Sequence, residues 1–436
     1  MKKIFVKILK WVLKNLARLT IKRYKPKIVG ITGSVGKTST KIACATVLSK
    51  KFKLRSSYGN LNNELGLPLT ILGDWSEQDL NLVSRNTPQG KKRIQKLSFW
   101  TKVILKSVFQ IIFKNKNYPQ VLILEYGADR PGDIRYLLNI ARPDIGIITA
   151  IGEIPVHVEF YSSSEEVALE KSGLIMNIPA YSYVILNYDD DTVMNIKHRT
   201  RAHILTFGFD DEADVQIINF ENKIENNKPL GIVFKIKYEN NIVPVSIFGA
   251  FGKSHAYACA CACALGLVFE MNLIEIAEAL ESYKPEKGRA NLLEGIKNSL
   301  IIDDSYNASF LSMANALDLL KSLPAKRKIA VLGDMLEIGK YSIFAHENIG
   351  KIAGKVCDLL ITIGPRAKFI AEGAKSNGLK QKNILSFNTV DEAKEELIKL
   401  IKPGDLVLLK ASHAMGLHQL VDYLKFFEIS NSNNKL

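Results

Sequence analysis

Apolar residues along this chain fall into short runs separated by stretches of helical spacing. Residues 121–125, 145–149 and 183–187 are compact apolar runs rich in β-branched residues, as strands buried on both faces are. Helical patterns lie between them. This alternation predicts an α/β fold with a doubly wound parallel sheet.

The pattern changes at residues 215–248, where alternating apolar and polar positions predict an antiparallel flap on the same domain. Strand runs at 299–303, 328–333, 359–364 and 405–410 then alternate with helices. They predict a smaller, Rossmann-like C-terminal domain. Because this part lacks a G-x-G-x-x-G fingerprint, a nicotinamide cofactor is not supported.

A stretch of linker character at 283–289 sets the last domain boundary. The predicted units are an N-terminal helix at 1–26, a central domain at 27–284 and a C-terminal domain at 285–436. A segment at about 74–117 is predicted to be an excursion from the central domain.

Residues 1–27 contain no acidic residue and repeat apolar side chains at helical spacing. The predicted apolar face consists of Ile4, Phe5, Ile8, Trp11, Val12, Leu16 and Leu19. Lysines interrupt the segment too often for a membrane span, and no signal-peptide cleavage site follows. Two alternatives remain open, a helix lying on an anionic membrane surface and a helix packed on the next domain.

The excursion carries a second segment of similar character. A basic turn at 89–93 precedes an apolar stretch at 97–113, which contains Trp100, Lys102, Lys106 and Phe109. It fits either a second interfacial helix or a buried helix.

Composition narrows the class of protein. A chain of 436 residues exceeds one ordinary core, and a formal charge of +15 indicates an anionic partner such as a nucleotide or an acidic membrane. Nucleic acid is not favoured, because the basic residues concentrate in amphipathic helices without a binding module. Five scattered cysteines fit a reducing cytoplasm, and those in the Ala-rich helix at 255–269 are interpreted as packing residues.

A glycine-rich turn at 28–40, between a strand and a helix, is the strongest chemical signal. Backbone amides and the helix dipole converge there on one anion site. Lys37 adds charge for the β- and γ-phosphates, and the Thr38 hydroxyl can ligate Mg²⁺. Ile31 stands where the strict pattern has glycine. The residues of this predicted nucleoside triphosphate site are Gly33, Ser34, Gly36, Lys37, Thr38 and Ser39.

Other polar residues follow the predicted strands. The loop at 59–68 combines three asparagines with glycines, as a polar ligand demands. Glu125 ends a buried strand, at the edge where open α/β sheets bind ligands. Taken alone, His157 is an ordinary loop histidine and Lys171 a solvated helix lysine.

These motifs together resemble the Mur ligase family. The phosphate loop at 32–39 is similar to the family's T-G-x-x-G-K-T-[ST] form, and 59–68 resembles the substrate loop of the branch that adds D-alanyl-D-alanine to a muramoyl tripeptide. Further likenesses lie at 125–134, 303–308 and 333–337 with His346. The resemblance covers the chain from residue 27 onward, without the excursion.

The resemblance implies an ADP-forming amide ligase of peptidoglycan precursor synthesis that works through an acyl phosphate. Its substrates would be ATP, a muramoyl peptide and D-alanyl-D-alanine. Lys37 would hold phosphates, Thr38 and Glu125 would bind one Mg²⁺ ion, and His157 a second. Lys171 would be carbamylated by CO₂ to ligate that second ion. Nucleotide contacts would come from Arg289, Asp304 and Asn307, and substrate contacts from Asn60, Asn62, Asn63 and Glu337.

Some positions depart from the family pattern. The phosphate loop follows the basic helix without the family's uridine-binding domain, and 252–258 differs from the usual G-x-H-N-x-x-N. The acceptor is therefore open between a muramoyl peptide, a lipid-linked acceptor and a non-muramoyl polymer. A non-catalytic ATP-binding protein on a membrane surface is a further alternative. The expected state is a cytoplasmic monomer with peripheral contact to the inner face of an anionic membrane.

Overall fold

The computed structural model describes residues 2–57, 59, 61–83, 93–226 and 228–432. Asn60, predicted to bind substrate, lies outside these residues, as does most of the basic turn at 89–93. Within the described ranges, none of the helices has both the length and the apolar character that crossing a membrane requires.

One large sheet is built from the first half of the chain. Its strands are β1 (Lys27–Thr32), β2 (Leu54–Ser56), β3 (Val121–Glu125), β4 (Ile145–Ile148), β5 (Tyr183–Asn187), β6 (His203–Gly208), β7 (Val215–Glu225), β8 (Lys228–Tyr238) and β9 (Asn241–Phe248). The described strands follow the order β2-β3-β1-β4-β5-β6-β7-β8-β9. β1 runs parallel to both β3 and β4, and its apolar side chains are buried, as expected of a central strand.

Helices cover the large sheet. They are α1 (Lys2–Tyr24), α2 (Lys37–Leu48), α3 (Gly66–Leu72), α4 (Glu77–Val83), α5 (Arg93–Ile112), α6 (Asp133–Leu138), α7 (Ser164–Met176), α8 (Asp191–Asn195), α9 (Lys253–Val268) and α10 (Leu273–Leu280). α9 packs against α2, and its cysteines are buried in the core, where burial raises the pKa of the Cys259 and Cys261 thiols. The cysteines of this helix are therefore packing residues.

A second, smaller sheet is built from the rest of the chain. Its strands are β10 (Asn291–Gly295), β11 (Ser299–Asp303), β12 (Arg327–Gly333), β13 (Leu359–Ile363), β14 (Ile384–Phe387) and β15 (Asp405–Lys410). Its helices are α11 (Phe310–Ser322), α12 (Ser342–Val356), α13 (Lys368–Ser376), α14 (Val390–Leu400) and α15 (Leu417–Ser432). The strand order is β10-β11-β15-β12-β13-β14, parallel except for β10. The α/β prediction with two sheets is confirmed.

The antiparallel strands predicted at 215–248 are present on the central domain, but they extend its sheet and form no separate flap. β7, β8 and β9 continue the large sheet at its edge, because β7 pairs in parallel with the end of β6. Their inward side chains, such as Val215, Ile217 and Ile236, join the same core as α2 and α9. Burying that face against α9 ties the three strands to the sheet.

The N-terminal helix packs on the protein through a face other than the predicted one. Leu9, Leu13 and Ala17 of α1 are buried in one core cluster with residues of α3 and α5. The predicted apolar face stays largely exposed, with Trp11 67% exposed. The stretch at 97–113 is likewise divided, since α5 buries Phe99 and Val103 and exposes Phe109. Both helices therefore pack on the domain and leave a second apolar face outside.

Candidate active site

The phosphate loop follows β1 at the carboxyl edge of the large sheet. Gly33 has φ 146° and Gly36 has φ 87°, both in the region that favours glycine. The amides of Ser34 and Val35 donate to the carbonyl of Ala150 at 2.6 and 3.1 Å. Those two amides are engaged by protein, so the anion site lies at the turn of Gly36 and at the first turn of α2.

Lys37, the first residue of α2, reaches back over this loop. Its Nζ donates to the carbonyl of Gly33 at 2.7 Å and to that of Ser34 at 3.4 Å. Burial lowers the pKa of Lys37, while the charge of Glu125 opposes the shift. The ammonium is thus held at the loop by two weak acceptors, which a phosphate group would replace with stronger ones.

A buried ion pair lies behind the loop. Lys41 Nζ lies 2.8 Å from Glu125 Oε1, and the two side chains are 2% and 1% exposed. Lys41 also donates to the carbonyl of Gly59 at 2.5 Å. Lys41 compensates the charge of Glu125 at Oε1, whereas Oε2 has no hydrogen-bond partner within the described residues. Lys41 was not among the site residues predicted from sequence, although its place one helical turn after Lys37 was a signal.

The sequence predicts magnesium at Thr38 and Glu125, and these groups fit that ion. A hydroxyl and a carboxylate are hard oxygen donors, which Mg²⁺ uses together with substrate phosphates and water. The buried Oε2 of Glu125, which has no hydrogen-bond partner among the described residues, favours a cation beside it. Among the described residues no group of three or more His, Cys, Asp and Glu side chains could hold a metal ion, so phosphate oxygens would have to complete the shell.

His157 connects the two sheets' loops. It has φ 69°, and its Nδ1 lies 2.8 Å from Glu337 Oε2 of the C-terminal half. On the other side of the ring, Nε2 lies 3.4 Å from Asp129 Oδ1. Glu337, predicted to contact substrate, thus lies beside the predicted metal ligand. A metal ion on either ring nitrogen would have to displace one of these two carboxylates.

Lys171 differs from the solvated helix lysine that it resembles in sequence. It lies on α7 and its side chain is only 2% exposed. Burial, and to a smaller extent the Lys37 charge, lower its pKa to about 7 against the opposing charges of Asp129, Glu170 and Asp133. A large share of this amine is therefore neutral near pH 7, and the neutral amine is the form that adds to CO₂.

Arg289 brings the second half of the chain to the phosphate loop. Its Nη2 donates to Thr38 Oγ1 at 2.9 Å, and its guanidinium lies 4.2 Å from the centroid of the Tyr306 ring. Glu286 lies 3.4 Å from Arg289 Nε. The Thr38 hydroxyl oxygen has two lone pairs, so it can accept from Arg289 and still ligate a metal ion.

Asp304 and Asn307 belong to one polar cluster with Lys410 at the end of β15. Lys410 Nζ lies 2.6 Å from Asp304 Oδ2 and donates to the carbonyl of Asn307 at 2.9 Å. Burial raises the pKa of Asp304, while the Lys410 charge opposes it. The Asn307 side chain accepts from the amides of Ala308 and His413. Asp304 and Asn307, both predicted to contact the nucleotide, thus bond to residues of the C-terminal loops in this conformation.

The asparagine loop forms one wall of a cavity of about 350 Å³. Asn62 accepts from the amide of Gly127 at 2.9 Å through its carbonyl, while Asn63 Oδ1 accepts from the amides of Leu65 and Gly66. Asn63 therefore has a capping role at α3. The cavity is lined by Lys10, Asn62, Asn63, Glu64, Gly127, Asp129, Pro131, Gly132, Asp133, Tyr136 and Leu137.

His255 stands in the segment that departs from the family pattern. Its Nε2 lies 3.0 Å from the carbonyl of Arg289, which can only accept, so Nδ1 accepts from the Tyr283 hydroxyl at 2.8 Å. Burial lowers the pKa of His255 to about 4 and keeps the ring neutral. The histidine ties α9 to the linker between the two sheets, a role that the sequence analysis did not assign.

Two family profiles match most of the residues of this chain. The profile of the Mur ligase middle domain matches residues 31–82 and 102–264, and that of the Mur ligase glutamate ligase domain matches 288–413. The chain belongs to the Mur ligase family. Both the phosphate loop and Arg289 lie within the matched residues of this Mur ligase.

Two similar sequences share one name, and two similar solved structures are both MurF. The chain is 29% identical to the UDP-N-acetylmuramoyl-tripeptide–D-alanyl-D-alanine ligase of Bacillus subtilis, over 94% of this chain and 78% of the relative. It is 28% identical to the enzyme of the same name from Rickettsia prowazekii, over 94% and 81%. Among solved structures, MurF from Acinetobacter baumannii superposes with a TM-score of 0.76 at 24% identity, over 95% of this chain and 80% of that one. MurF from Thermotoga maritima, in complex with ADP, superposes with a TM-score of 0.73 at 24% identity, over 95% and 83%.

Proposed function

We propose that this Mur ligase is an ATP-dependent, ADP-forming amide ligase that adds D-alanyl-D-alanine to a muramoyl tripeptide in peptidoglycan precursor synthesis. The observation that carries the proposal is the contact between Arg289 and Thr38, which joins the two halves of the chain at the phosphate loop. The names of relatives that match 94% of the chain support these substrates.

The proposed reaction has two steps. An acceptor carboxylate attacks the γ-phosphorus of ATP, so that a C(O)O–P bond forms and the bond to ADP breaks. The amine of D-alanyl-D-alanine then attacks the acyl carbon, a C–N bond forms, phosphate leaves and the amine releases a proton. Since both partners of the first step are anions, cationic groups that offset this charge are the main catalytic requirement.

Lys37 and Arg289 supply that charge from the chain itself. Lys37 binds the β- and γ-phosphates from the loop, and Arg289 closes over them from the opposite side. Gly33, Ser34, Gly36 and Ser39 shape the loop. Mg²⁺, held by Thr38 and Glu125, would neutralise charge on the phosphate oxygens. Asp304 and Asn307 are proposed to support the nucleotide by keeping the loops around Lys410 in place.

Lys171 is proposed to react with CO₂. The lone pair of its neutral amine forms an N–C bond, one proton is released and a carbamate anion results. Its burial and its pKa of about 7 support this, because both favour the neutral nucleophile. The carbamate and His157 would then hold the second Mg²⁺ ion. This step would convert an unfavourable buried ammonium into an anionic oxygen donor.

The acceptor is proposed to enter the cavity beside the asparagine loop. Asn62 and Asn63 both line this cavity, and Asn63 also accepts from the amides at the start of α3. Asn60 is proposed to contribute from the same loop. Glu337, next to His157, is proposed to face the acceptor or the incoming amine from the C-terminal domain.

The proposed organisation assigns 1–26 to the N-terminal helix, 27–284 with the 74–117 insertion to the ATP-binding domain, and 285–436 to the C-terminal domain. One chain supplies residues of both domains to the site, which supports a monomer. The buried free thiols support a cytoplasmic location. The basic, partly apolar α1 and α5 support peripheral contact with the inner face of the membrane.

Phosphate release tests the proposed function. The full chain is incubated with ATP, Mg²⁺, bicarbonate, UDP-muramoyl tripeptide and D-alanyl-D-alanine, and the product is identified by mass spectrometry. We expect phosphate release that requires both acceptor and dipeptide, and a product with the mass of the pentapeptide. Bound ATP without turnover would instead support the alternative of a non-catalytic ATP-binding protein. Lys37→Met is the inactive control.

A further inference from the structure

α1 and α5 lie side by side on the central domain, and each exposes large apolar side chains. Their ends are linked at Tyr24, whose hydroxyl donates to the carbonyl of Gln110 at 2.6 Å and accepts from the amide of Asn115 at 2.8 Å. We call the exposed residues of both helices the α1–α5 surface. It consists of Ile4, Phe5, Val6, Ile8, Trp11, Leu19, Ile94, Leu97, Leu105, Val108, Phe109 and Ile112.

Large apolar side chains on both helices are exposed to solvent. Trp11 is 67% exposed, Phe109 63% and Ile94 85%, although each helix already buries another face in the core. A monomeric protein rarely exposes so many neighbouring large apolar side chains without a partner that covers them.

The charged side chains of α1 and α5 themselves have one sign, although Lys102 pairs with Asp79 of α4 at 3.0 Å. Residues 1–27 and 93–117 contain no Asp or Glu, and exposed basic side chains flank the apolar ones on both helices. These exposed residues are Lys7, Arg18, Lys22, Arg23, Lys102, Lys106, Lys114 and Lys116. An apolar face bordered by cations matches the interface of an anionic bilayer, where acyl chains take up the apolar groups and headgroups meet the lysines.

The acceptor cavity adjoins this surface through α1. Lys10 lines the cavity and lies 2.6 Å from Glu64, while its neighbour Trp11 points outward. Lys14 lies 5.2 Å from the centroid of Tyr136, another lining residue. α1 therefore contributes residues both to the cavity and to the exposed face, and a helix with its side chains is roughly 10 Å across.

We propose that the α1–α5 surface docks on an anionic bilayer and that the acceptor is a muramoyl peptide anchored in that bilayer by a lipid tail. This proposal rests on the proposed ligase function, and it adds that the acceptor substrate resides in the membrane. Docking through α1 holds the cavity at the headgroup level, so the peptide of a lipid-anchored acceptor reaches it without leaving the membrane.

Vesicle binding tests the docking itself. The full chain is sedimented with vesicles of phosphatidylcholine alone and with vesicles containing phosphatidylglycerol. We expect at least tenfold stronger partition onto the anionic vesicles, and at least a tenfold loss in the double variant Trp11→Ser/Phe109→Ser. Ile343→Ser/Phe344→Ser removes two exposed apolar residues of α12 and is the matched control, which should bind as the unmodified chain does.

Equal partition onto both vesicle types, or no partition, overturns the docking. So does a dimer, seen by light scattering, that Trp11→Ser/Phe109→Ser dissociates, because a second copy would then cover the surface. Since both substituted side chains are exposed, thermal unfolding should show that the variant keeps its fold.

Turnover on two acceptors tests the substrate class. The same muramoyl tripeptide is offered as the water-soluble UDP derivative and on a lipid diphosphate in anionic vesicles. We expect Trp11→Ser/Phe109→Ser to lose at least tenfold in kcat/KM on the vesicle-borne acceptor and to keep its rate on the soluble one. Equal rates of the unmodified chain and the variant on the vesicle-borne acceptor overturn the inference. Failure on both acceptors would overturn the ligase proposal, whereas vesicle binding is measured independently of it.

Discussion

Arg289 donates a hydrogen bond to Thr38 across 251 positions of sequence, at 2.9 Å. Thr38 lies at the start of α2 in the phosphate loop, and Arg289 lies in the linker before the smaller sheet. This contact links the phosphate loop directly to the second half of the molecule. The proposed reaction uses residues from both sides of it.

Arg289→Lys tests this link. Lysine keeps the charge, but it lacks the planar fork that bonds Thr38 while stacking on Tyr306. A charged hydrogen bond contributes about 1.5–3 kcal/mol, so we expect KM for ATP to rise about tenfold or more. Steady-state kinetics at saturating acceptor measure it. Arg201→Lys, an exposed arginine just before β6, is the control, and an unchanged KM in Arg289→Lys would contradict the assignment.

Carbamylation of Lys171 would make the activity depend on pH and on bicarbonate. Carbamylation needs the neutral amine, and the pKa of Lys171 is lowered to about 7 by burial. We expect activity to rise with pH through about 7 and to depend on bicarbonate. Lys171→Ala should lose most activity and regain part of it with a small carboxylic acid. Full activity of Lys171→Ala would remove this lysine from the mechanism.

The same burial predicts that Lys171 destabilises the uncarbamylated protein. Its pKa is lower folded than unfolded, so the unfolded chain binds more protons between pH 7 and 10.5 and the penalty is largest at and below pH 7. In CO₂-free buffer at pH 7, Lys171→Met should raise the free energy of unfolding by about 1 kcal/mol or more. This gain should shrink as the pH rises toward 10. Urea unfolding measures it, with the exposed Lys197→Met as the neutral control.

Lys41 and Glu125 test the energetics of a buried pair. Removing one partner leaves an uncompensated buried charge, so Lys41→Met and Glu125→Gln should each lower the free energy of unfolding by about 3–5 kcal/mol. The double variant should recover at least half of the summed loss, because neither charge then remains. Urea midpoints of the four proteins give the coupling, and simple additivity would show that the pair is not coupled.

His255 predicts a stability loss in acid. Its pKa falls from 6.5 to about 4 on folding, because the ring is buried neutral between Tyr283 and Arg289. The unfolded chain therefore binds more protons between pH 6.5 and 4, and stability falls as the pH falls through that window. The loss attributable to His255 reaches about 3 kcal/mol near pH 4.

His255→Asn should remove this share of the pH slope and cost about 1–3 kcal/mol at pH 7.5 through the lost partners. Urea unfolding of both proteins at pH 7.5 and 5 measures the difference. The exposed His198→Asn should keep the slope of the unmodified chain. An identical slope in His255→Asn would mean that the ring is protonated without cost.

Local sequence patterns were sufficient to predict many of the helices and strands of this protein. The strand–turn–helix at 28–40, the alternating apolar runs of both sheets and the small residues of α9 each depend on neighbours in sequence, so periodicity and glycine placement were sufficient. The resemblance to Mur ligases rested on motifs of the same local kind, and the family profiles agree with it.

The contacts that these motifs make depend on the tertiary structure. The sequence did not indicate that α1 packs through Leu9 and Leu13, since more than one face of that helix carries apolar residues and contact with α3 and α5 selects the buried one. It also could not distinguish Lys171 from a solvated lysine, because a pKa depends on burial and on charges such as Lys37 from elsewhere in the chain. Residues far apart in sequence come into contact only in the folded topology. The same topology determines how deeply they are buried, and burial determines their pKa values.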